Sequence, residues 1–404
     1  MNSPFVEART ILDTLHQAGY EAYYVGGAVR DFLLNRQIGD IDIATSAKPV
    51  DVQHLFKHTI DVGAEHGTII VLHNGSPYEV TTFRAEGEYV DNRRPSHVVY
   101  ISSLIEDLRR RDFTINAMAM DINGKIVDYF NGKAHLSEKL IQTVGSPEER
   151  FNEDALRMLR AVRFVSQLQF TLCPKTKKAI SDHAHLLKEI SVERKTVEIE
   201  KLLMGVNQKQ ALAMIVDTNM HSYLPGLERK KDELIRLSTY DMRVLKTNIE
   251  HWSLFTNCIQ PRSVEEFLRK WKLPNKLIKA VKKNIDYLTI VKEKQWSDFL
   301  LYEAGVETAV SVERLCTLMI DPKQVEGNVK RIIDRFQQLP IQSKSQLNVT
   351  GHDIIDFLKK KPGPWVSKVI FEIEKAIVAK KLENNKSAIK EWLMTCNLDF
   401  DQNY

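Results

Sequence analysis

Hydrophobic and polar positions follow one pattern up to about residue 150 and a different one beyond it. In the first part, short β-rich runs alternate with helical ones, which predicts a small mixed sheet with helices. In the second part, Leu, Ile, Lys and Glu recur at helical spacing between Pro and Gly interruptions. We therefore predict an α+β fold in which an N-terminal mixed-sheet head is followed by an all-helical remainder.

The same pattern predicts the individual elements of the head. A helix is expected from Ala28 to Leu34, and strands are expected over Glu21–Val25, Asp40–Ala44, Thr68–His73 and Tyr78–Phe83. Asn74-Gly75 lies between the last two strands, and this dipeptide is the strongest short signal of a β-hairpin. The last two strands are therefore expected to pair with each other.

Composition and charge narrow the class of protein. The 404 residues suggest roughly two to four domains. The net charge of +4 allows a local basic patch but does not predict a surface that binds nucleic acid everywhere. Four widely spaced cysteines without a CxxC pair argue against a disulfide scaffold and a structural zinc site. The sequence has no signal-peptide pattern and no run of 18 apolar residues, so we expect a soluble, cytoplasmic protein without a membrane contact.

Two glycines follow the first predicted strand. In Gly26-Gly27-Ala28-Val29-Arg30-Asp31, the strand ends in Gly26-Gly27 and a helix opens. Such a turn lets backbone N–H groups approach a phosphate closely, and Arg30 could clamp a phosphate oxygen. Taken alone, however, this motif is more often only a turn.

Two aspartates occupy the second predicted strand, in Gly39-Asp40-Ile41-Asp42-Ile43. Residues two apart in a strand share a face, so the two carboxylates should project together while the isoleucines enter the core. The carboxylates would repel one another, and Mg²⁺ is the natural cation to neutralise them. The alternative is a half-buried strand whose solvent face happens to be acidic.

A third acid, Glu79, lies on the returning arm of the predicted hairpin. If that strand lies beside the strand of Asp40 and Asp42, the three carboxylates form a catalytic cluster of the kind that binds two divalent ions for phosphoryl transfer. An isolated glutamate on a strand is more often a plain surface residue, so this prediction depends on the other two acids.

Five motifs together resemble a known family. They are GGAVRD (26–31), GDIDIATSA (39–47), RRDFTINAMAMD (110–121), EDALRMLRAVRF (153–164) and SVERKTVEIEKLL (191–203). Their order and spacing resemble the class II tRNA nucleotidyltransferases, the CCA-adding enzymes of the polymerase-beta nucleotidyltransferase superfamily, in their Gram-positive bacterial form. The match covers about residues 20–205, and the rest is similar only in length and helical character.

The resemblance implies an Mg²⁺-dependent enzyme that completes the 3′ end of tRNA from CTP and ATP without a nucleic-acid template, and it also suggests a homodimer. It divides the chain into a catalytic head (1–150), a helical nucleotide-recognition neck (151–205) and a helical body and tail that bind tRNA (206–404). Two alternatives remain. One is a sister enzyme of the same fold, either a poly(A) polymerase or an enzyme that adds only CC or only A. The other is a non-catalytic RNA-binding protein.

Without a template, protein side chains must select the incoming base. Asp154 and Arg157 are spaced as neighbours on one helix face. A carboxylate accepts from the exocyclic amine that C and A share, and a guanidinium donates to the ring nitrogen beside it. G and U present the opposite pattern, so this pair could reject them. Alternatively, Asp154 and Arg157 form an exposed salt bridge on the helix that contributes little to stability.

Further basic residues are candidates for nucleotide contact. A helical wheel places Arg160 and Arg163, with Arg157, opposite the apolar stripe of their helix. By resemblance, Arg111 and these arginines contact the nucleotide together with Gly27 and Arg30. The resemblance also makes Asp112 an acceptor for the ribose 2′-hydroxyl, and makes Arg84–Pro95 a flexible loop that helps the change from C to A.

Two stretches outside these motifs contain further candidate sites. Arg269–Lys283 contains seven basic residues, no acid and Trp271, so it is a candidate phosphate-binding surface or simply a solvated helix face. Gly351-His352-Asp353 resembles a phosphohydrolase metal motif, but matching ligands are missing from the sequence context. We expect it to open a helix, with Thr350 near the cap.

Overall fold

The computed structural model describes residues 4–86, 89–90, 94–95 and 98–395. Its strands are β1 (Ala22–Val25), β2 (Asp42–Thr45), β3 (Thr59–Gly63), β4 (Thr68–His73), β5 (Ser76–Thr82), β6 (Arg84–Glu86), β7 (Tyr89–Val90), β8 (Arg94–Pro95), β9 (Val98–Tyr100), β10 (Met118–Met120), β11 (Ile126–Asp128), β12 (Leu140–Ile141) and β13 (Thr171–Leu172).

The helices of the N-terminal half support this sheet and continue beyond it. They are α1 (Pro4–Gln17), α2 (Gly27–Leu33), α3 (Pro49–Leu55), α4 (Leu104–Arg109), α5 (Gly132–Ser137), α6 (Pro147–Glu153), α7 (Leu156–Leu168), α8 (Pro174–His183), α9 (Val192–Leu203), α10 (Gln208–Asp217) and α11 (Lys231–Ser238).

The C-terminal half, as far as it is described, is helical. Its helices are α12 (Asn248–Ile259), α13 (Val264–Lys270), α14 (Asn275–Lys294), α15 (Asp298–Ala304), α16 (Val306–Leu318), α17 (Val325–Gln337), α18 (Gly351–Leu358), α19 (Trp365–Val378) and α20 (Lys386–Thr395). The predicted α+β class, with a mixed-sheet head and a helical remainder, is confirmed. One detail is wrong, because the two-residue strand β13 lies beyond residue 150 and pairs in parallel with β12.

Seven strands form the sheet of the head, in the order β11-β10-β1-β2-β5-β4-β3. The pair β2 and β5 is parallel, whereas the other neighbours in this sheet are antiparallel. The predicted hairpin is confirmed: β4 and β5 pair from Thr68 to His73, and Asn74 (φ 50°) and Gly75 (φ 79°) form its turn. Both turn residues need a positive φ, which asparagine and glycine adopt at low cost.

Predicted bounds differ from the observed ones by one to two residues at several ends. The helix after the glycines is Gly27–Leu33 instead of Ala28–Leu34, and the second strand begins at Asp42 instead of Asp40. Val25, Ala44, Phe83, Leu104, Leu108 and Ala119 form a buried cluster of the head. None of the helices in the described part of the chain is long and apolar enough to cross a membrane.

The chain divides into two compact units. The first consists of the described residues up to Thr239 together with Phe267–Lys272, and the second consists of Tyr240–Glu266 together with the described residues from Leu273 onward. The second unit has its own apolar core, in which Ile354, Ile373, Ile377 and Ile389 are fully buried.

Helices α7 and α9 pack closely together near Gly205, which lies just after the end of α9. The Ser166 hydroxyl donates to the Leu202 carbonyl at 2.6 Å, and the Asn207 N–H donates to the Ser166 carbonyl at 2.9 Å. A Cβ atom at Gly205 would overlap the Ser166 hydroxyl and lie 2.8 Å from its backbone carbon. Only glycine therefore allows this approach.

We expect Gly205→Ala to lower the free energy of unfolding by about 1–3 kcal/mol, because the inserted methyl group must displace α7 backbone. Denaturant unfolding measures this change. Gly327→Ala is the matched control: Gly327 is exposed in α17, and a Cβ atom there meets nothing within 4 Å. That variant should be neutral or slightly stabilised. Equal effects of both substitutions would contradict the packing argument.

Candidate active site

A cavity of about 960 Å³ opens in the first unit, between the head sheet and helices α7 and α9. All ten candidate site residues from the sequence line it: Gly27, Arg30, Asp40, Asp42, Glu79, Arg111, Asp154, Arg157, Arg160 and Arg163. These residues are spread over more than 130 positions of the chain, so the fold alone brings them together. The pocket is therefore the candidate active site.

One wall of the pocket is acidic. Strands β2 and β5 pair in parallel, with Asp42 opposite Glu79, as the three-acid prediction required. Asp40 lies just before β2, while Ile41 and Ile43 are buried at 5% and 0% exposure. The isoleucines thus anchor this segment in the core, and Asp40, Asp42 and Glu79 remain on the pocket side.

The electrostatic environment of Asp42 favours a cation. Burial and the charges of Glu79 and Asp40 together raise the pKa of Asp42 to about 6, although Arg111 partly opposes the shift. Among the described residues, no group of three His, Cys, Asp or Glu side chains is arranged to hold a metal ion. Magnesium, however, is often bound by one or two carboxylates, with substrate phosphates and water completing its shell. The donor set of Asp40 and Asp42 fits a divalent ion bound in that way.

The glycine turn lies directly against this wall. Gly26 has φ 71°, and a Cβ atom there would lie 3.3 Å from Arg111 Nη1 and 3.5 Å from Asp42 Oδ2. Glycine therefore supplies both the backbone conformation and the space. In the next turn, Asp31 holds Arg30 in a two-point ion pair, with its Oδ1 3.0 Å from Arg30 Nε and its Oδ2 2.9 Å from Nη2. Arg30 Nη1 also donates to Asn116 Oδ1 at 2.7 Å.

Arg111 is held by a buried acid. Its Nη2 lies 3.3 Å from Asp107 Oδ2, and Arg110 Nη2 lies 2.8 Å from the other oxygen of the same carboxylate. Burial alone would raise the pKa of Asp107, which is 1% exposed, but Arg110 and Arg111 together hold that pKa below its usual value. Asp107 therefore stays ionised and orients Arg111, which also approaches Asp42.

The expectation that Asp154 and Arg157 share one helix face is wrong. Helix α6 ends at Glu153, Asp154 has extended backbone angles (φ −143°, ψ 103°), and α7 begins at Leu156. Asp154 Oδ1 accepts from the Leu156 N–H at 3.1 Å. A side chain that bonds its own backbone two residues on competes with the helical pattern, which accounts for the break. Both residues nevertheless line the pocket.

The guanidinium of Arg157 is held by hydrogen bonds to two backbone carbonyls. Its Nη1 donates to the Arg150 carbonyl at 3.1 Å and also contacts the Glu153 carboxylate, and its Nη2 donates to the Arg110 carbonyl at 3.0 Å. The residue is only 8% exposed. Arg157 is thus a fixed part of the pocket wall and not the freely solvated side chain that the exposed-salt-bridge alternative required.

Arg160 and Arg163 are paired with acids from other elements. Arg160 Nη2 lies 2.6 Å from Asp112 Oδ2, and Arg163 Nη1 lies 3.2 Å from Glu198 Oε2. Burial tends to raise the pKa of Asp112, but Arg160 and Asn116 outweigh it and hold that pKa at about 2. The Phe113 N–H and the Asn116 side chain also donate to Asp112 Oδ1. Asp112 lines the pocket as well, and its role as acceptor for a ribose hydroxyl stays a prediction.

The lining residues that were not predicted include Asn116, Gln167, Arg194 and Lys201. The last two belong to the SVERKTVEIEKLL motif. They are seven positions apart, about two turns of α9, and therefore share a helix face. A helical wheel of that motif would have identified both. No comparable local signal marks Asn116 or Gln167.

Outside the pocket, the basic run divides into surface and core. All seven basic side chains of Arg269–Lys283 are exposed, whereas Trp271 is fully buried and is unavailable to a nucleic-acid base.

The predicted helix start at Thr350 is confirmed. The Thr350 hydroxyl accepts from the Asp353 N–H, and Asp353 accepts in return from the Thr350 N–H at 2.9 Å. The predicted flexible loop Arg84–Pro95 lies partly outside the described residues, and its described part contains β6, β7 and β8.

Three family models match the chain. They are the Poly A polymerase head domain over residues 22–142, the family named Probable RNA and SrmB-binding site of polymerase A over residues 169–231, and tRNA nucleotidyltransferase domain 2 over residues 243–393. The first of these contains the acidic wall and the glycine turn.

The chain also matches relatives over nearly its whole length. The chain is 48% identical to the CCA-adding enzyme of a Geobacillus species over 399 residues, which is 98% of each chain. It is 48% identical to the CCA-adding enzyme of Bacillus cereus over 394 residues, which is 98% of this chain and 99% of the relative.

Solved structures give the same result. The crystal structure of the Bacillus stearothermophilus CCA-adding enzyme in complex with CTP matches with a TM-score of 0.91 and 44% identity, over 98% of each chain. A tRNA nucleotidyltransferase complexed with a primer tRNA and an incoming ATP analog matches with a TM-score of 0.63 and 25% identity, over 80% of this chain and 98% of that one. With such identity over nearly its whole length, and with the acids, arginines and glycines gathered in one pocket, this chain belongs to the CCA-adding enzymes, the tRNA nucleotidyltransferases that its motifs resemble.

Proposed function

We propose that this protein builds and repairs the 3′-terminal CCA of tRNA from CTP and ATP without a nucleic-acid template. The observation that carries the proposal is a single pocket that contains an acidic pair, phosphate-binding groups and a candidate base-reading pair. In each step the terminal hydroxyl oxygen of the tRNA forms a bond to the α-phosphorus, and the bond to the β-phosphate breaks to release pyrophosphate.

Asp40 and Asp42 are the proposed ligands of Mg²⁺, and Glu79 is the third catalytic carboxylate. The oxygen-only donor set and the repulsion between Asp42 and its acidic neighbours support this assignment. Bound metal would supply activation of the attacking hydroxyl and neutralisation of triphosphate charge. The chain itself contributes a rigid strand pair that fixes the spacing of Asp42 and Glu79.

The triphosphate is assigned to Gly27, Arg30, Arg160 and Arg163. The three arginines surround the ring of Phe164, with guanidinium carbons 5.2, 5.8 and 4.3 Å from its centroid. Burial, against the opposing charge of Glu198, lowers the pKa of Arg163 to about 10, so its guanidinium stays charged at neutral pH. Several fixed cations in a half-enclosed pocket suit a substrate with several negative charges.

The base is assigned to Asp154 and Arg157, with Arg111 also at the nucleotide. Asp154 keeps acceptor lone pairs beyond its bonds to Leu156 N–H and Arg194, so it can still accept from the amine of C or A. In this proposal, Asp154 and Arg157 distinguish C and A from G and U without a template.

For the remainder of the chain we propose the division into head (1–150), neck (151–205) and body with tail (206–404), acting on tRNA in the cytoplasm. Within the second unit, α14 carries Lys276, Lys279, Lys282 and Lys283, all exposed. Lys282 pairs with Asp286 at 2.9 Å, and Lys283 donates to the Ala304 carbonyl at 2.8 Å. The other two are thus the stronger candidates for phosphate contact.

Replacing all four of these lysines with glutamine is expected to weaken tRNA binding. The slope of the logarithm of the binding constant against the logarithm of the salt concentration should become shallower, by an amount that corresponds to at most about four released counterions. Filter binding across a range of salt concentrations measures both quantities. CTP binding should hardly change, since these residues do not line the pocket. An unchanged salt slope would show that these lysines are only a solvated helix face.

Incubation of the purified protein with tRNA ending at the discriminator base tests the function. With CTP and ATP together, we expect the addition of CCA and nothing longer. CC alone, A alone or a poly(A) tail would identify one of the sister enzymes, and no extension would indicate a non-catalytic RNA-binding protein.

A further inference from the structure

Asp154, the candidate base-reading acid, is not held by its own helix. It lies in the break between α6 and α7, where its carboxylate could rotate if nothing fixed it. Two groups do so. The Leu156 N–H donates to Oδ1 at 3.1 Å, and Arg194 Nη2 from α9 donates to Oδ2 at 2.7 Å. Arg194 therefore holds Asp154 by a hydrogen-bonded ion pair that comes from outside its own turn.

Arg194 is itself on a firmly anchored helix. On other sides of α9, the buried Lys195 donates to the Tyr223 carbonyl at 3.3 Å, and the buried Thr196 hydroxyl donates to the Trp271 carbonyl at 2.7 Å. One turn after Arg194, Glu198 pairs with Arg163 of α7. Helix α9 thus meets the pocket through the ion pairs of Arg194 and Glu198, and each of these pairs joins a residue assigned to the nucleotide.

We propose that Arg194 is a positioning residue for base selection. It fixes the Asp154 carboxylate in the orientation that accepts from the exocyclic amine of C or A. This inference rests on the proposed function and deepens it, because it assigns the selectivity to a pair of residues and not to Asp154 alone. If Arg194 is lost, Asp154 can turn toward other partners, and a base that presents a keto oxygen there is no longer rejected as strongly.

The charge-removing variant Arg194→Gln tests the proposal, and Arg229→Gln is its matched control. Arg229 is an exposed arginine of the same unit that does not line the pocket. Equilibrium binding of CTP, ATP, UTP and GTP is measured first, followed by single-turnover incorporation of each on truncated tRNA. We expect the preference for CTP over UTP to fall roughly tenfold to a hundredfold in Arg194→Gln, the scale typical of a displaced positioning group. It should not change in Arg229→Gln.

Two further variants separate positioning from folding. Arg194→Lys keeps the charge but not the planar guanidinium, so we expect a preference between those of the wild type and Arg194→Gln. This variant also carries the test if Arg194→Gln does not fold. In an Asp154→Ala background, Arg194→Gln should cause no further loss of preference, because its effect passes through the absent carboxylate.

An unchanged preference in Arg194→Gln with uniformly weaker binding of all four nucleotides would overturn the proposal. A further loss of preference in the Asp154→Ala background would overturn it as well. The proposed function and the positioning role of Arg194 can be refuted independently of each other. A wild-type protein that does not complete CCA refutes the proposed function, whereas the nucleotide-binding preferences of the Arg194 variants still test the positioning role.

Discussion

Replacement of Asp40 or Asp42 by alanine is expected to abolish nucleotidyl transfer while tRNA binding remains largely intact. Both carboxylates line the pocket beside Glu79, and the metal chemistry assigned to them cannot proceed on an alanine side chain. A loss of about 4 kcal/mol of transition-state stabilisation corresponds to roughly a thousandfold lower rate. The measurement is the incorporation of labelled CTP into truncated tRNA at saturating magnesium, together with a tRNA binding curve.

The stability of these variants provides an internal control. Because burial and the nearby acids raise the pKa of Asp42 to about 6, its ionised form destabilises the folded protein at neutral pH. Asp42→Ala should therefore unfold at the same or a higher temperature than the wild type, so its inactivity would not reflect misfolding. Asp182→Asn, at an exposed aspartate far along the chain, should leave the activity unchanged. Near-normal incorporation by Asp40→Ala or Asp42→Ala would refute the metal assignment.

Replacement of Asp154 by alanine is expected to change which nucleotides are used and not only how fast. Without its carboxylate, the amine of C or A loses its acceptor, and the keto oxygen of U or G no longer meets a fixed negative charge. A good base-reading pair contributes about 1–3 kcal/mol of discrimination, or roughly 5- to 150-fold. We expect the use of UTP and GTP relative to CTP and ATP to rise by that factor. Incorporation of each nucleotide separately on truncated tRNA measures it.

Asp154 is a cleaner target for this experiment than Arg157. The guanidinium of Arg157 also binds the carbonyls of Arg150 and Arg110, so Arg157→Ala would remove both of these hydrogen bonds and lower the stability as well. Asp154→Asn is a useful companion, because its amide can donate to a keto oxygen while the side-chain shape is kept. Uniformly lower rates with the original preference for C and A would mean that Asp154 only shapes the helix break.

The hairpin and the acidic strand were predictable because their signals are local. Asn74-Gly75 specifies a tight turn through the φ angles of two residues, and the alternation of Asp40, Ile41, Asp42 and Ile43 specifies which side faces the core. The parallel pairing of β2 with β5 was stated only as a condition. It depends on strands more than 30 positions apart, and no local pattern selects that partner.

The break at Asp154 illustrates what local reasoning missed. The segment Glu153–Arg157 contains neither proline nor glycine, so the periodicity predicted an uninterrupted helix. The observed break is stabilised by a bond from Leu156 N–H and by Arg194, which is 40 positions further along the chain. A tertiary ion pair thus outweighed a weak local preference for helix.

The sequence by itself determined the chemistry of this protein: five motifs and Glu79 of the hairpin supply the carboxylates, guanidinium groups and glycines, and the order of the motifs identifies the family. It also determined the fold class, because strand and helix periodicities reflect which side of each element avoids water. Only the tertiary structure decided how those groups are held. The burial of Arg157 and Arg163, the pairing of Asp112 with Arg160 and that of Asp154 with Arg194 join distant segments. Such contacts depend on the three-dimensional packing of helices, which spacing along the chain does not encode.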